Sequence, residues 1–179
     1  AKSLLQIERP QIQALRVTHS GTQFDLRLHK GVWVIDRPVV AECDPGVVGA
    51  FLDTLVAARL EDEVGSGALE PYGLDAPAAQ VEIGLTEGTR RLALGRINPQ
   101  QTLVYTLVGD SKKVVLTTSS VLTQALNNAF GWRDKRMIDL QPELVQRIRL
   151  RTLTDGQLAI ARGPEGAWVV EGETRWRVD

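Results

Sequence analysis

The chain has 179 residues, 43% apolar, 24% charged and 5% aromatic, with 21 Lys and Arg against 22 Asp and Glu. A chain of this size buries roughly 70% of the surface its unfolded form exposes, so this composition supports a packed core and excludes intrinsic disorder. The net charge of -1 argues against nucleic-acid binding, and no apolar run approaches the roughly 18 residues needed to cross a bilayer.

Residues 15–18 read as a short strand, Ser20-Gly21 as a turn, and residues 24–29 alternate apolar and polar with the period of a half-buried strand. Lys30-Gly31 makes the next turn, and residues 32–35 form a third strand carrying Trp33. The three strands make an antiparallel meander, with glycine where tight hairpin turns demand positive φ. Asp44-Pro45 then signals a helix start, an N-cap acid followed by proline at the first helical position. Val47, Val48, Phe51, Leu52, Leu55, Val56 and Leu60 recur at three and four residues, which predicts a helix lying over the sheet. Glu61-Asp62-Glu63 ends that helix, and Gly65-Ser66-Gly67 is a flexible connector.

The segment Pro71-Tyr72-Gly73-Leu74-Asp75-Ala76-Pro77 is a rigid turn, its prolines fixing φ and its glycine permitting the left-handed region. Strands at residues 81–85, 91–94, 103–108 and 114–116 follow, with turns at Glu87-Gly88 and Gly109-Asp110. A second helix starts at Ser119 or Ser120, with Val121, Leu122, Ala125, Leu126 and Ala129 inward. Trp132 and the basic run Arg133-Asp134-Lys135-Arg136 come after it, where bases suit a helix C-terminus. A third meander turns at Asp155-Gly156 and Pro164-Glu165-Gly166 and ends at Trp176-Arg177-Val178-Asp179.

Internal repetition is the most informative pattern. Ile12-Gln13-Ala14-Leu15-Arg16-Val17 matches Val145-Gln146-Arg147-Ile148-Arg149-Leu150, with Pro10 and Pro142 just upstream. Gly31-Val32-Trp33-Val34-Ile35-Asp36 matches Gly166-Ala167-Trp168-Val169-Val170-Glu171, which puts Trp33 and Trp168 at one repeat position as structural residues. The expected class is α+β: repeated meander-plus-helix units, with the helices on one face of the sheets. The units span residues 1–67, 68–139 and 140–179, in one or two lobes, and the third is cut where a helix follows in the first.

Chemistry-bearing residues are sparse. The single Cys43 excludes an internal disulfide and a multi-cysteine metal site. His19 and His29, ten residues apart around a hairpin turn, make two imidazoles that can face each other across two strands, short of the three or four ligands of a zinc site. Charge is uneven: between Glu42 and Glu87 ten acids meet one base, Arg59, which reads as a solvated acidic face or a docking patch. No metal, cofactor or catalytic residue is expected.

The tryptophan-bearing strand running into Pro38, then Tyr72-Gly73-Leu74-Asp75-Ala76-Pro77, Leu94-Gly95 before Val104-Tyr105, and Arg133-Asp134-Lys135-Arg136 together resemble the bacterial family known as domain of unknown function 4340. The likeness covers nearly the whole chain. It implies a domain outside the cytoplasm, periplasmic or at the cell surface, held to the inner membrane by an N-terminal helix that this sequence lacks. It also implies association with ABC-type transport systems similar to those linked to gliding motility, and it carries over no catalytic residue. The expected function is a non-enzymatic accessory or scaffold domain of a membrane transport or envelope complex, with a protein partner. The alternatives are a module binding a small ligand, glycan or lipid between repeat units, and a hydrolase using His19 or His29.

Overall fold

A computed structural model describes residues 2–136, 141–151 and 157–171. The chain divides into two compact units, Ala1–Lys135 and Arg136–Asp179. In the first unit the strands are β1 (Lys2–Ser3), β2 (Ile12–His19), β3 (Thr22–His29), β4 (Val32–Arg37), β5 (Ala41–Glu42), β6 (Arg59–Leu60), β7 (Asp62–Ser66), β8 (Ala79–Leu85), β9 (Thr89–Ile97), β10 (Leu103–Val108) and β11 (Lys113–Thr118). Its α-helices are α1 (Pro45–Ala57), α2 (Ser120–Ala125) and α3 (Ala129–Trp132). The second unit contains the strands β12 (Arg147–Arg151), β13 (Gln157–Arg162) and β14 (Trp168–Glu171).

Nine strands of the first unit form one antiparallel sheet in the order β5-β4-β3-β2-β8-β9-β10-β11-β7. The meanders of residues 12–42 and 79–118 therefore share a sheet, joined where β2 pairs with β8 through Leu15↔Ile83 and Val17↔Val81. Both hairpins of the first meander turn on two residues at positive φ, Ser20-Gly21 (49° and 73°) and Lys30-Gly31 (48° and 84°). That turn geometry matches the right-handed twist of the flanking strands and locks the register.

Alternation along each strand sends one set of side chains into a single core. Leu15, Leu26, Ile35, Val81, Ile83, Leu92 and Leu94 are buried with Val48, Phe51, Leu52 and Leu55 of α1 and Val121, Leu122 and Ala125 of α2. The helices thus cover one face of the sheet. Asp44 caps α1, its Oδ1 accepting from the Gly46 and Val47 amides at 2.8 and 3.1 Å, with Pro45 in the first turn. The α+β class holds, with strands predominating.

Two predicted helices are shorter than their apolar spacing implies. α1 stops at Ala57 because tertiary pairing captures the next residues: the Ala58 carbonyl accepts from the Leu4 amide at 2.9 Å and Leu60 pairs with Lys2 in a two-stranded sheet. The expected connector is then an edge strand, β7, paired with β11 and bulged at Gly65, whose φ of 117° suits glycine. The acids that were to end the helix lie on this exposed edge, where charge discourages further strand addition. α2 ends at Ala125 because Asn128 takes an extended backbone and caps α3, its Oδ1 accepting from the Gly131 amide at 2.8 Å; Leu126, predicted inward, is exposed.

In the second unit β12, β13 and β14 make a three-stranded antiparallel meander, with Gly166 at φ 80° in the β13–β14 turn. The predicted Asp155-Gly156 turn and the Trp176-Arg177-Val178-Asp179 segment lie outside the described residues.

Candidate functional site

The sheet face turned away from the helices carries a row of alternating charge. Arg37, Asp25, Arg16, Glu82 and Arg91 are successive register partners on β4, β3, β2, β8 and β9, so one straight line of side chains crosses five strands. Arg16 Nε meets Asp25 Oδ1 at 2.8 Å and Arg16 Nη1 meets Glu82 Oε1 at 3.5 Å. Arg37 Nε stands 3.6 Å from Asp25 Oδ2, and Arg91 Nε is 3.0 Å from Glu82 Oε2. A register shift between Asp25 and Leu26 makes a bulge at Asp36, which brings its carboxylate within 3.0 Å of Arg27 Nη2.

Burial opposes ionisation of Asp25, but hydrogen bonds from Arg16 and Gln23 and the charges of Arg16 and Arg37 outweigh it and hold its carboxyl below the usual value. The same bond and charge raise the Arg16 guanidinium above its ordinary value. Shallow depressions flank the row. One of about 390 Å³ is floored by Thr18, Gln80, Ala93 and Gly109. The other, of about 360 Å³, lies over Ala14 and Gly84 beside Arg27, Asp36 and Arg37. Every carboxylate in the row is held by a guanidinium, an arrangement suited to fixed-charge recognition more than to proton transfer.

The Tyr72, Gly73 and Leu74 motif straps the other half of this open face. The Tyr72 ring packs on Tyr105 at 4.8 Å, and Leu74 is buried outside the main core cluster. Gly73 sits at φ 65°, where a Cβ would come within 2.7 Å of Arg96 Cγ. The strap closes on Gly95, where any Cβ would collide with the Tyr72 carbonyl oxygen. Asp75 is exposed and Pro77 half-buried on the way into β8. Gly95 and Tyr105 are thus the strap's seat, while their neighbours Leu94 and Val104 point into the main core.

The basic run extends the sheet's other side. Arg133 bridges Cys43, the Asp44 amide donates to the Trp132 carbonyl and the Asp134 amide donates to the Glu42 carbonyl, both at 2.9 Å. Lys135 Nζ lies 4.8 Å from the centre of the Phe130 ring, and Arg136 opens the second unit. Trp132 is fully buried against Phe51 and donates from Nε1 to the Asn127 carbonyl. The run thus follows the C-terminus of α3, with Arg133 as its C-cap, while its backbone docks in strand-like fashion on residues 42–44. Trp33 packs against the core of the first unit, whereas Trp168 in the second stacks under the Arg162 guanidinium at 5.3 Å.

Residues 33–178 match the family model described as Domain of unknown function (DUF4340). The chain belongs to the DUF4340 family. No curated protein and no solved structure matches it. The matched part of this DUF4340 chain takes in the strap, its seat and the Arg133 segment.

Other expected features of the DUF4340 domain fall differently. His19 and His29 do not face each other: His19 pairs with Thr22 and His29 with Val32, at opposite ends of β3. His19 Nε2 donates to the Asn127 carbonyl at 2.8 Å while its ring stacks on Phe24. The ten acids of residues 42–87 form no single face. Asp53 pairs with Arg9, Glu63 with Lys113 and Glu82 with Arg16 and Arg91, while Asp44 caps α1. Cys43 is buried, and burial pushes its thiol up to about 12. The charged row itself escaped sequence reading. Its signal was the outward position of Arg16, Asp25 and Glu82 on alternating strands, which the register alone aligns.

Proposed function

We propose that this DUF4340 domain is a non-enzymatic accessory or scaffold domain of a membrane transport or envelope complex, acting outside the cytoplasm at the end of an N-terminal membrane anchor. One observation carries the reading: the half of the sheet face left open by the strap presents a fixed, alternating row of paired charges between shallow depressions. Such a surface suits a protein partner of complementary pattern, because rows of charge fix register and orientation across an interface. The strap and the Arg133 segment support the same reading, since the most specific family motifs serve as joints, one fastened to Gly95 and one to Cys43, and not as a catalytic cluster. Among the described residues no helix is long and apolar enough to cross a membrane.

We also read the β12–β14 meander as the counterpart of β2–β4. Leu15↔Leu26↔Ile35 and Ile148↔Ile160↔Val170 are cross-strand rows, and the sequence match pairs their outer members, Leu15 with Ile148 and Ile35 with Val170.

A photo-crosslinking residue at Gln80, in cells carrying the full-length protein, tests the partner directly. The expected product is an adduct with an integral membrane or envelope protein that salt diminishes. Absence of any protein adduct, together with a thermal shift caused by a small molecule from envelope extracts, would replace scaffold by ligand-binding module.

A further inference from the structure

The charged row on the open sheet face is its own complement. Arg37, Asp25, Arg16, Glu82 and Arg91 alternate strictly in sign across β4, β3, β2, β8 and β9. The row is open to solvent, with the side chains of Arg37, Arg16 and Arg91 71%, 51% and 64% exposed. A twofold axis that lies in the plane of contact and parallel to the strands reverses the order of such a row. Passed through a member of the row, this axis sets like charge on like; passed midway between two neighbours, it sets each charge on its opposite. The strap fixes where the midpoint falls, because it occupies β10 at Tyr105 and the far end of β9 at Gly95. The strands left open run β5-β4-β3-β2-β8-β9, and their midpoint lies between β3 and β2. An axis there sets Arg16 opposite Asp25 of a second copy and Glu82 opposite Arg37 of that copy, each contact made twice by symmetry.

Within one chain Arg16 reaches Asp25 through Nε and Glu82 through Nη1. A guanidinium carries a fork of N–H donors, so an arginine of the row can serve a carboxylate on its own sheet and another facing it. The net charge of -1 sets little overall repulsion between copies. Because the axis keeps the strand direction, the two sheets stack with their strands aligned, as face-to-face sheets do. Five strands about 4.8 Å apart and about seven residues long offer roughly 550 Å² per copy, at the low end of specific interfaces, so the contact is weak and reversible. We propose that this face pairs with the same face of a second copy of the chain, in a twofold dimer whose register is set by the charged row. This rests on the reading that the open row takes a protein partner, and it names that partner.

Sedimentation equilibrium of the 179-residue chain at low salt should give a monomer–dimer equilibrium with a dissociation constant on the order of 100 µM, weakened at least tenfold in about 0.5 M NaCl. Amide shifts that grow with protein concentration should centre on β4, β3, β2 and β8. Arg37 and Glu82 stand three strands apart in one chain, on β4 and β8, a separation of about 14 Å, so a charge exchange between them reports on the contact between copies. Arg37→Glu and Glu82→Arg should each be monomeric alone, like charge then facing like, and should associate when mixed. A wild-type chain that stays monomeric at millimolar concentration, shifts centred on other strands, or folded variants that stay apart on mixing would each overturn the proposal. A Gln80 adduct that contains a different protein, from a chain that stays monomeric, would rule out the second copy and leave the partner reading standing.

Discussion

At the scale of single residues, burial and pairing decide behaviour that composition leaves open. With its thiol pushed up to about 12 and its side chain in the core, Cys43 is protonated across the physiological range, and the thiolate is the reactive form. Iodoacetamide at pH 8 should therefore leave Cys43 unmodified in the folded protein and alkylate it at the rate of global unfolding; rapid labelling under native conditions would contradict its burial. Asp25 acts in the opposite direction. Its folded pKa is lowered, so its contribution to stability is present above the unfolded value near 4 and is lost as pH falls through the folded value. Urea titrations between pH 5 and 2.5 should show stability declining with acid, and Asp25→Asn should flatten that decline while costing about 1 kcal/mol at neutral pH. An unchanged acid slope in the variant would mean that the Arg16 and Arg37 contacts do not hold in solution.

Among the elements, the strap of residues 71–77 gives the sharpest test, because a motif read from sequence as a rigid turn is fastened to a glycine 22 positions after Gly73. A methyl group at Gly95 has no room beside the Tyr72 carbonyl, so Gly95→Ala should lift the strap and destabilise the first unit by about 3 kcal/mol. Gly21→Ala, whose Cβ meets nothing, should cost less, through its positive φ alone. Equal losses measured by urea unfolding would show that the strap is not seated as described. The meander strands, their glycine turns and the capped start of α1 were legible in sequence because alternation and turn chemistry are local signals. The end of α1 was not, since the stripe through Leu60 is broken only when β1 and β11 claim residues 58–61. For the same reason the acids of residues 61–63 looked like a helix terminator, whereas Asp62 and Glu63 begin an edge strand.

For the whole molecule, the register across nine strands turns separate hairpins into a surface. Nothing local links Arg37 with Arg91, yet the β2–β8 junction aligns them in one row, and this long-range pairing is why the candidate face could not be read from the sequence. Family membership, by contrast, was legible, because the motifs that carry the resemblance are short runs of consecutive residues that need no strand register to be read. We propose that the open row recognises a protein partner by charge. Charge reversal at two exposed members, Arg16→Glu with Arg91→Glu, leaves the buried core untouched, and the test is the amount of partner recovered with the full-length protein from native membranes at low salt. At least a tenfold loss of recovered partner with an unchanged circular dichroism spectrum is expected; recovery equal to wild type from a folded double variant would contradict recognition by charge.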